Sequence, residues 1–230
     1  MNKIKTVIPR GMGLPLFIAL VTNTIVYNGS RLVTAGWHHY DVTGRLDGLI
    51  PFVPWTIAIY LGCYVFWVVN YVIGCRQNRE GAYRFISADF LAKIVCLVCF
   101  LVFPTTNVRP VIMGHSFWDE AMRFLYQMDA ADNLFPSIHC LTSWFCFIAV
   151  RSNKRIPEWY RIVSLVTAIL ICASTLTTKQ HIVIDVIAGV FLAEVCFWVT
   201  GRTPFAGYYA KVVEKMAECL GGKVGEQSGE

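Results

Sequence analysis

Charge is the scarcest ingredient of this chain. Of its 230 residues only 15% are Asp, Glu, Lys or Arg and 56% are hydrophobic, whereas a soluble domain carries about 25% charge. That shortage excludes a disordered chain, a coiled coil and a typical cytosolic enzyme. Internal repeats and low-complexity tracts are also absent, which excludes a solenoid. What is present is a series of apolar runs. The net charge of +5 would suit a nucleic-acid partner if the basic residues were clustered. They fall between the apolar runs instead, as in an integral membrane protein, so a bilayer is the expected partner and nucleic acid is not.

A helix crosses about 30 Å of hydrocarbon with roughly 20 apolar residues. Six segments approach that length: Gly11–Tyr27, Pro51–Ile73, Phe85–Phe103, Phe135–Val150, Trp159–Thr177 and His181–Thr200. The expected fold is all-α, a bundle of six transmembrane helices over residues 1–220 with a flexible tail at 221–230. The first segment is the weakest. Basic residues precede it as in a signal peptide, but no small-residue cleavage site follows, and a retained helix is expected.

With the N-terminus inside, the inner segments hold fourteen basic residues, Lys3, Lys5, Arg10, Arg76, Arg79, Arg84, Arg151, Lys154, Arg155, Arg161, Arg202, Lys211, Lys215 and Lys223. The outer segments hold five, Arg31, Arg45, Arg109, Arg123 and Lys179. This asymmetry orients both termini to the cytoplasm, in a multi-pass protein expected in the cell membrane. Lys93 falls within the third span, where it is expected to snorkel inward. None of the nine cysteines lies in an outer loop, so no disulfide framework is indicated.

All five histidines, His38, His39, His115, His139 and His181, fall on the outer side. Two begin spans, in the strings NLFPSIHC and TKQHIVIDV. Asp185 needs a partner, because an unpaired Asp at the centre of a span costs about 2.5–3.5 kcal/mol. It follows His181 by four residues and shares its helical face. A carboxylate on one ring nitrogen leaves the other free as base or nucleophile. The turn at Pro136–His139 opens a helix, whose N-terminus attracts phosphate oxygens, and Arg109 and Lys179 add fixed positive charge nearby. A structural His–Asp pair or a proton relay remains the alternative.

These strings resemble the type 2 phosphatidic acid phosphatase superfamily. Arg109-Pro110 resembles the end of its first motif. Pro136, Ser137 and His139 match its PSxH motif, and Ser174, His181 and Asp185 match its third. FPTTNVRP, DNLFPSIH and TKQHIVIDVIAG are most similar to the branch containing inositol phosphorylceramide synthases and related bacterial proteins. The chain departs from the family pattern at Val102 and Thr175, where a lysine and an arginine are usual, and at Ile138, where glycine is common. Lys179 is the expected replacement for one missing cation.

The resemblance implies a metal-independent reaction without cofactor on a lipid phosphate at the outer face. In it His181 attacks phosphorus, Asp185 orients it and His139 serves as acid and base. Arg109, Ser137, Lys179 and Ser174 hold the phosphate. Hydrolysis of a phosphate monoester or diphosphate, of the phosphatidate or polyprenyl type, is the leading expectation. Head-group transfer to a lipid alcohol is the second and a non-enzymatic transporter or scaffold the third. Oligomeric state is not legible. No acidic metal-ligand cluster occurs in the sequence.

Several secondary expectations follow from the residues. Ser116 and Asp119 read as a capping box for a short interfacial helix between the third and fourth spans, with Phe117, Ala121, Phe124, Leu125 and Met128 on one face. Arg123 lies on its polar side. Asp47 is expected to cap the second span, and Asn133 either orients the FPS turn or lies in a solvated one. Trp37, Trp55, Trp118 and Trp159 fit interface belts.

Overall fold

The computed structural model describes residues 7–151, 153 and 155–221. Lys3, Lys5, Lys154, Lys223 and all but the first residue of the expected tail lie outside them. The first apolar run forms α1 (Gly13–Thr24), passes through one π-helical turn at Ile25–Gly29 and continues as α2 (Ser30–Thr34). This helix runs seven residues beyond its expected end. The polar residues there satisfy themselves within the helix, as Ser30 Oγ donates to the Val26 carbonyl and Thr34 Oγ1 to that of Ser30.

The outer loop that follows holds β1 (Tyr40–Asp41) and a short α3 (Arg45–Leu49). A 3₁₀ turn at Pro54–Thr56 leads into α4 (Ile57–Cys75). Next comes α5 (Arg79–Val102), which begins six residues earlier than its apolar run because Asn78 caps the Gly81 amide. The remaining elements are β2 (Thr105–Thr106), α6 (Phe117–Met128), α7 (Ile138–Arg151), α8 (Glu158–Thr177), α9 (Val183–Arg202) and α10 (Phe205–Cys219).

Among the described residues five helical stretches are long and apolar enough to cross a membrane: Gly13–Thr34, Pro54–Cys75, Arg79–Val102, Glu158–Thr177 and Val183–Arg202. The fourth expected span is α7, whose 14 residues reach about 21 Å. It is the centre of the bundle, packed against α4, α5, α8 and α9, and most of its residues are buried. Beyond the last span, α10 lays Tyr209, Ala210 and Val213 against α5, where the Phe90 and Tyr209 rings stand 5.3 Å apart, and Glu214 pairs with Arg79 at 2.6 Å.

Lys93 does not snorkel. It is 1% exposed and its ammonium lies 2.7 Å from Asp89, one turn earlier on α5, which also accepts from the Tyr71 hydroxyl at 2.7 Å. An internal counter-charge replaces the headgroup region as its partner. Toward the C-terminal end of α7, Glu194 accepts from Arg151 and from the Trp144 indole.

The α6 capping box forms as its spacing predicts, with Ser116 accepting from the Asp119 amide and the Asp119 carboxylate accepting from Ser116. Met122 and Leu125 pack against Ile57 and Tyr60, while Phe117, Phe124 and Met128 stay exposed. Arg123 is engaged by Glu120 and by the Ile112 and Gly114 carbonyls.

Candidate active site

Three separate strings meet at the N-terminal end of α7, and short polar contacts join them. β1 and β2 pair in parallel, Tyr40 opposite Thr105. The Thr105 hydroxyl accepts from the Leu134 and Phe135 amides at 3.1 and 2.9 Å, which aims the FPS turn, whose Phe135–Pro136 bond is cis. Asn107 donates to the Lys179 carbonyl at 3.0 Å, and the Ser137 amide donates to the Asp185 carbonyl at 3.1 Å. Asn133, in the left-handed conformation at φ +50°, is buried and donates to Thr34, so it orients the turn rather than lying in solvent.

The two histidines of these strings face each other, with ring centroids 5.8 Å apart. His181 sits on the connection between α8 and α9, and its Nδ1 lies 3.3 Å from the Asp185 carboxylate. A carboxylate only accepts, so Nδ1 carries the hydrogen and Nε2 keeps its lone pair. The same Asp185 oxygen accepts the Ile182 amide, which locks it at the head of α9. Burial pulls the His181 pKa down, but the hydrogen bond and charge of Asp185 outweigh it and leave the group raised.

His139 is buried in the first turn of α7, and its Nε2 lies 2.9 Å from the Tyr60 hydroxyl. Its Nδ1 has no protein partner. Tyr60 also reaches toward Asp129, 3.4 Å away, and Tyr27 from the π turn donates to the other oxygen of the same carboxylate. Tyr27, Asp129, Asn133, His139, Gln180 and His181 are among the residues lining a narrow cleft.

Arg109 approaches the third string. Its guanidinium donates to the Gln180 side chain and to the Asp129 carbonyl and lies 4.6 Å from the centre of the Tyr126 ring. Burial lowers its pKa, and the Asp129 carboxylate partly offsets that. Lys179 is directed elsewhere. Its ammonium donates to the Asp47 and Ile50 carbonyls at 2.9 and 2.6 Å. Asp47 therefore serves the last span and not the second, because its carboxylate accepts the Val183 amide at 2.7 Å.

Ser137 is fully buried and caps α7 by accepting the Cys140 amide, while Ser174 donates to the Ile171 carbonyl within α8. His38 stacks edge-on to Tyr40, and His39 contacts the Trp37 carbonyl. The structure thus brings together His139, His181, Asp185 and, through Gln180, Arg109. It adds Tyr27, Tyr60, Asp129 and Gln180, which sequence reasoning missed. The one signal for Asp129 was a carboxylate in the outer loop between the first two motif strings, beside an apolar helix.

A second hollow opens beside the cleft. A groove runs between Tyr27, Ile57, Leu61 and Tyr64 on one side and Ala121, Phe124, Leu125, Met128 and Asp129 on the other. Tyr27 and Asp129 line both spaces. A family model described as the PAP2 superfamily matches residues 52–199, which include all three motif strings. No curated protein matches the chain.

Proposed function

The chain belongs to the PAP2 superfamily, whose members are typically phosphatases or phosphotransferases, and from that membership we propose a lipid phosphatase working through a phosphohistidine without metal. The observation that carries the proposal is the contact of His181 Nδ1 with Asp185, which leaves Nε2 unprotonated at the cleft. Nε2 attacks phosphorus, the P–N bond forms, and the ester oxygen leaves with a proton from His139. Water then gives a proton to His139 and attacks phosphorus, and the P–N bond breaks. Arg109 and Gln180 are placed to meet the phosphoryl oxygens, whose charge must be stabilised in the transition state.

A lipid substrate is supported by the apolar groove that shares Tyr27 and Asp129 with the cleft. In this reading α7 is the fourth of six spans, α6 lies at the headgroup level, the termini are cytoplasmic and the cleft opens to the outer face of the cell membrane. The fourteen-to-five split of basic residues supports that orientation.

Head-group transfer is the second reading, and one observation favours it. With Val102 and Thr175 at the usual cation positions and Lys179 held by carbonyls, the cleft offers little positive charge beyond Arg109. A phosphodiester, with one negative charge, needs less than a monoester does. The test is phosphate release from lipid phosphates and diphosphates by the purified protein, with chelator present, against His181→Ala. Release that persists with chelator and vanishes in the variant is expected. Product formed only when a lipid alcohol is supplied would establish transfer instead. No reaction in either assay would leave the transporter or scaffold.

A further inference from the structure

Asp129 stands where the cleft meets the groove, and its hydrogen bonding is incomplete. An ionised carboxylate offers about four acceptor sites. One oxygen accepts from the Tyr27 hydroxyl. Among the described residues the other accepts only from the Tyr60 hydroxyl, at 3.4 Å, and that hydroxyl lies closer, at 2.9 Å, to His139 Nε2. Tyr60 has a single proton to give. When it serves His139, this Asp129 oxygen loses its donor. Arg31 does not make up the loss, since it lies 2.9 Å from Asp132 but 3.6 Å from Asp129, on the oxygen Tyr27 already holds.

We propose that Asp129 is a specificity determinant that selects lipid phosphates carrying a hydroxyl or amine on the carbon next to the phosphoester carbon. The proposal rests on the phosphatase reading above. With phosphorus at His181 and the apolar chain in the groove, the first carbons of the leaving alcohol pass the Tyr27–Asp129 junction. A donor on the second carbon fills an acceptor site of the Asp129 carboxylate at the junction of cleft and groove. A plain alkyl or prenyl phosphate brings no donor, and an oxygen that only accepts meets the carboxylate as a repulsive neighbour. A site that pairs a polar group disfavours the analogue that lacks it, and with its side chain only 18% exposed the Asp129 carboxylate is only partly compensated by solvent.

The test compares three probes in detergent: hexadecyl phosphate, 2-hydroxyhexadecyl phosphate and 2-methoxyhexadecyl phosphate. Phosphate release by the wild-type protein is expected to favour the hydroxy compound over both others by about tenfold or more in kcat/KM. In Asp129→Asn the ratio is expected to fall to within about threefold. The ratio is read within each protein, so a general loss of activity cancels. A 2-amino analogue tells hydroxyl from amine recognition, and preference for either supports the assignment. Equal release of all probes by the wild type overturns it alone, whatever the variant does, and so does an unchanged ratio in the variant. Release from none of them overturns the phosphatase reading and this assignment with it.

Discussion

Gly189 of α9 lies directly against the carbonyl of Ser137. A Cβ at Gly189 would stand 2.6 Å from that oxygen and 3.2 Å from the Leu141 amide. The same two strands of chain are joined by the Ser137 amide and the Asp185 carbonyl. The helix that carries Asp185 is thereby pressed to the turn that carries His139. The contact is with backbone, so no side chain can yield to an added methyl. Gly189→Ala is therefore expected to cost about 1–3 kcal/mol and to lower kcat more than tenfold by separating the two imidazoles. Thermal unfolding and turnover measured together would check this, and unchanged turnover would show that the close approach is dispensable.

In the proposed mechanism the acid limb of activity belongs to His181. Its attack needs the neutral ring, and Asp185 holds its pKa above the ordinary value against the opposing effect of burial. Activity should therefore fall as pH drops through that raised value. In Asp185→Asn the raising influence is gone and burial remains, so the limb should move to lower pH while kcat declines. A pH profile of kcat/KM for both proteins checks the direction. A limb that moves upward would assign it to another group.

His139 acts as acid and base in the proposed mechanism, and such help contributes about 10²–10⁴-fold. His139→Ala should lower kcat by that factor and leave KM little changed. Tyr60→Phe, which removes the hydroxyl 2.9 Å from His139 Nε2, should lower kcat less, by about tenfold. A larger loss in Tyr60→Phe than in His139→Ala would reverse their roles.

Lys179 reaches the carbonyls of Asp47 and Ile50, so its replacement should loosen the outer loop more than it weakens phosphate binding. Lys179→Met is expected to destabilise the protein by about 1.5–3 kcal/mol with KM for a lipid phosphate within about threefold of wild type. Arg109→Lys should do the reverse, since it loses the planar fork that meets two acceptors. Unfolding midpoints and KM values for both variants decide between the two roles.

Lys93 and Asp89 form a buried pair within a span. Lys93→Met leaves a carboxylate without its counter-charge and should cost about 3–5 kcal/mol, whereas Lys93→Met with Asp89→Leu should recover most of that. Unfolding in detergent compares the three proteins. A double variant no more stable than the single one would give the pair a role beyond charge neutralisation.

The sequence by itself determined what local pattern and spacing control. Apolar runs located the spans because a bilayer requires about 20 residues of one character. The His181–Asp185 pair was legible because four residues bring two side chains onto one helical face. The α6 cap was legible because Ser116 and Asp119 are three residues apart. Tertiary structure alone decided what depends on contacts between distant segments. Tyr60 meets His139 because α4 packs against α7, and Tyr27 meets Asp129 across more than 100 residues of chain. Lys179 looked like a phosphate ligand by its nearness in sequence to His181, yet its left-handed backbone, at φ +55°, accompanies a side chain held by carbonyls more than 100 residues away. Lys93 found an internal partner in place of the membrane surface. Sequence spacing reports which groups share a helix face, but the partner a buried charge finds is set by whichever neighbour packing delivers.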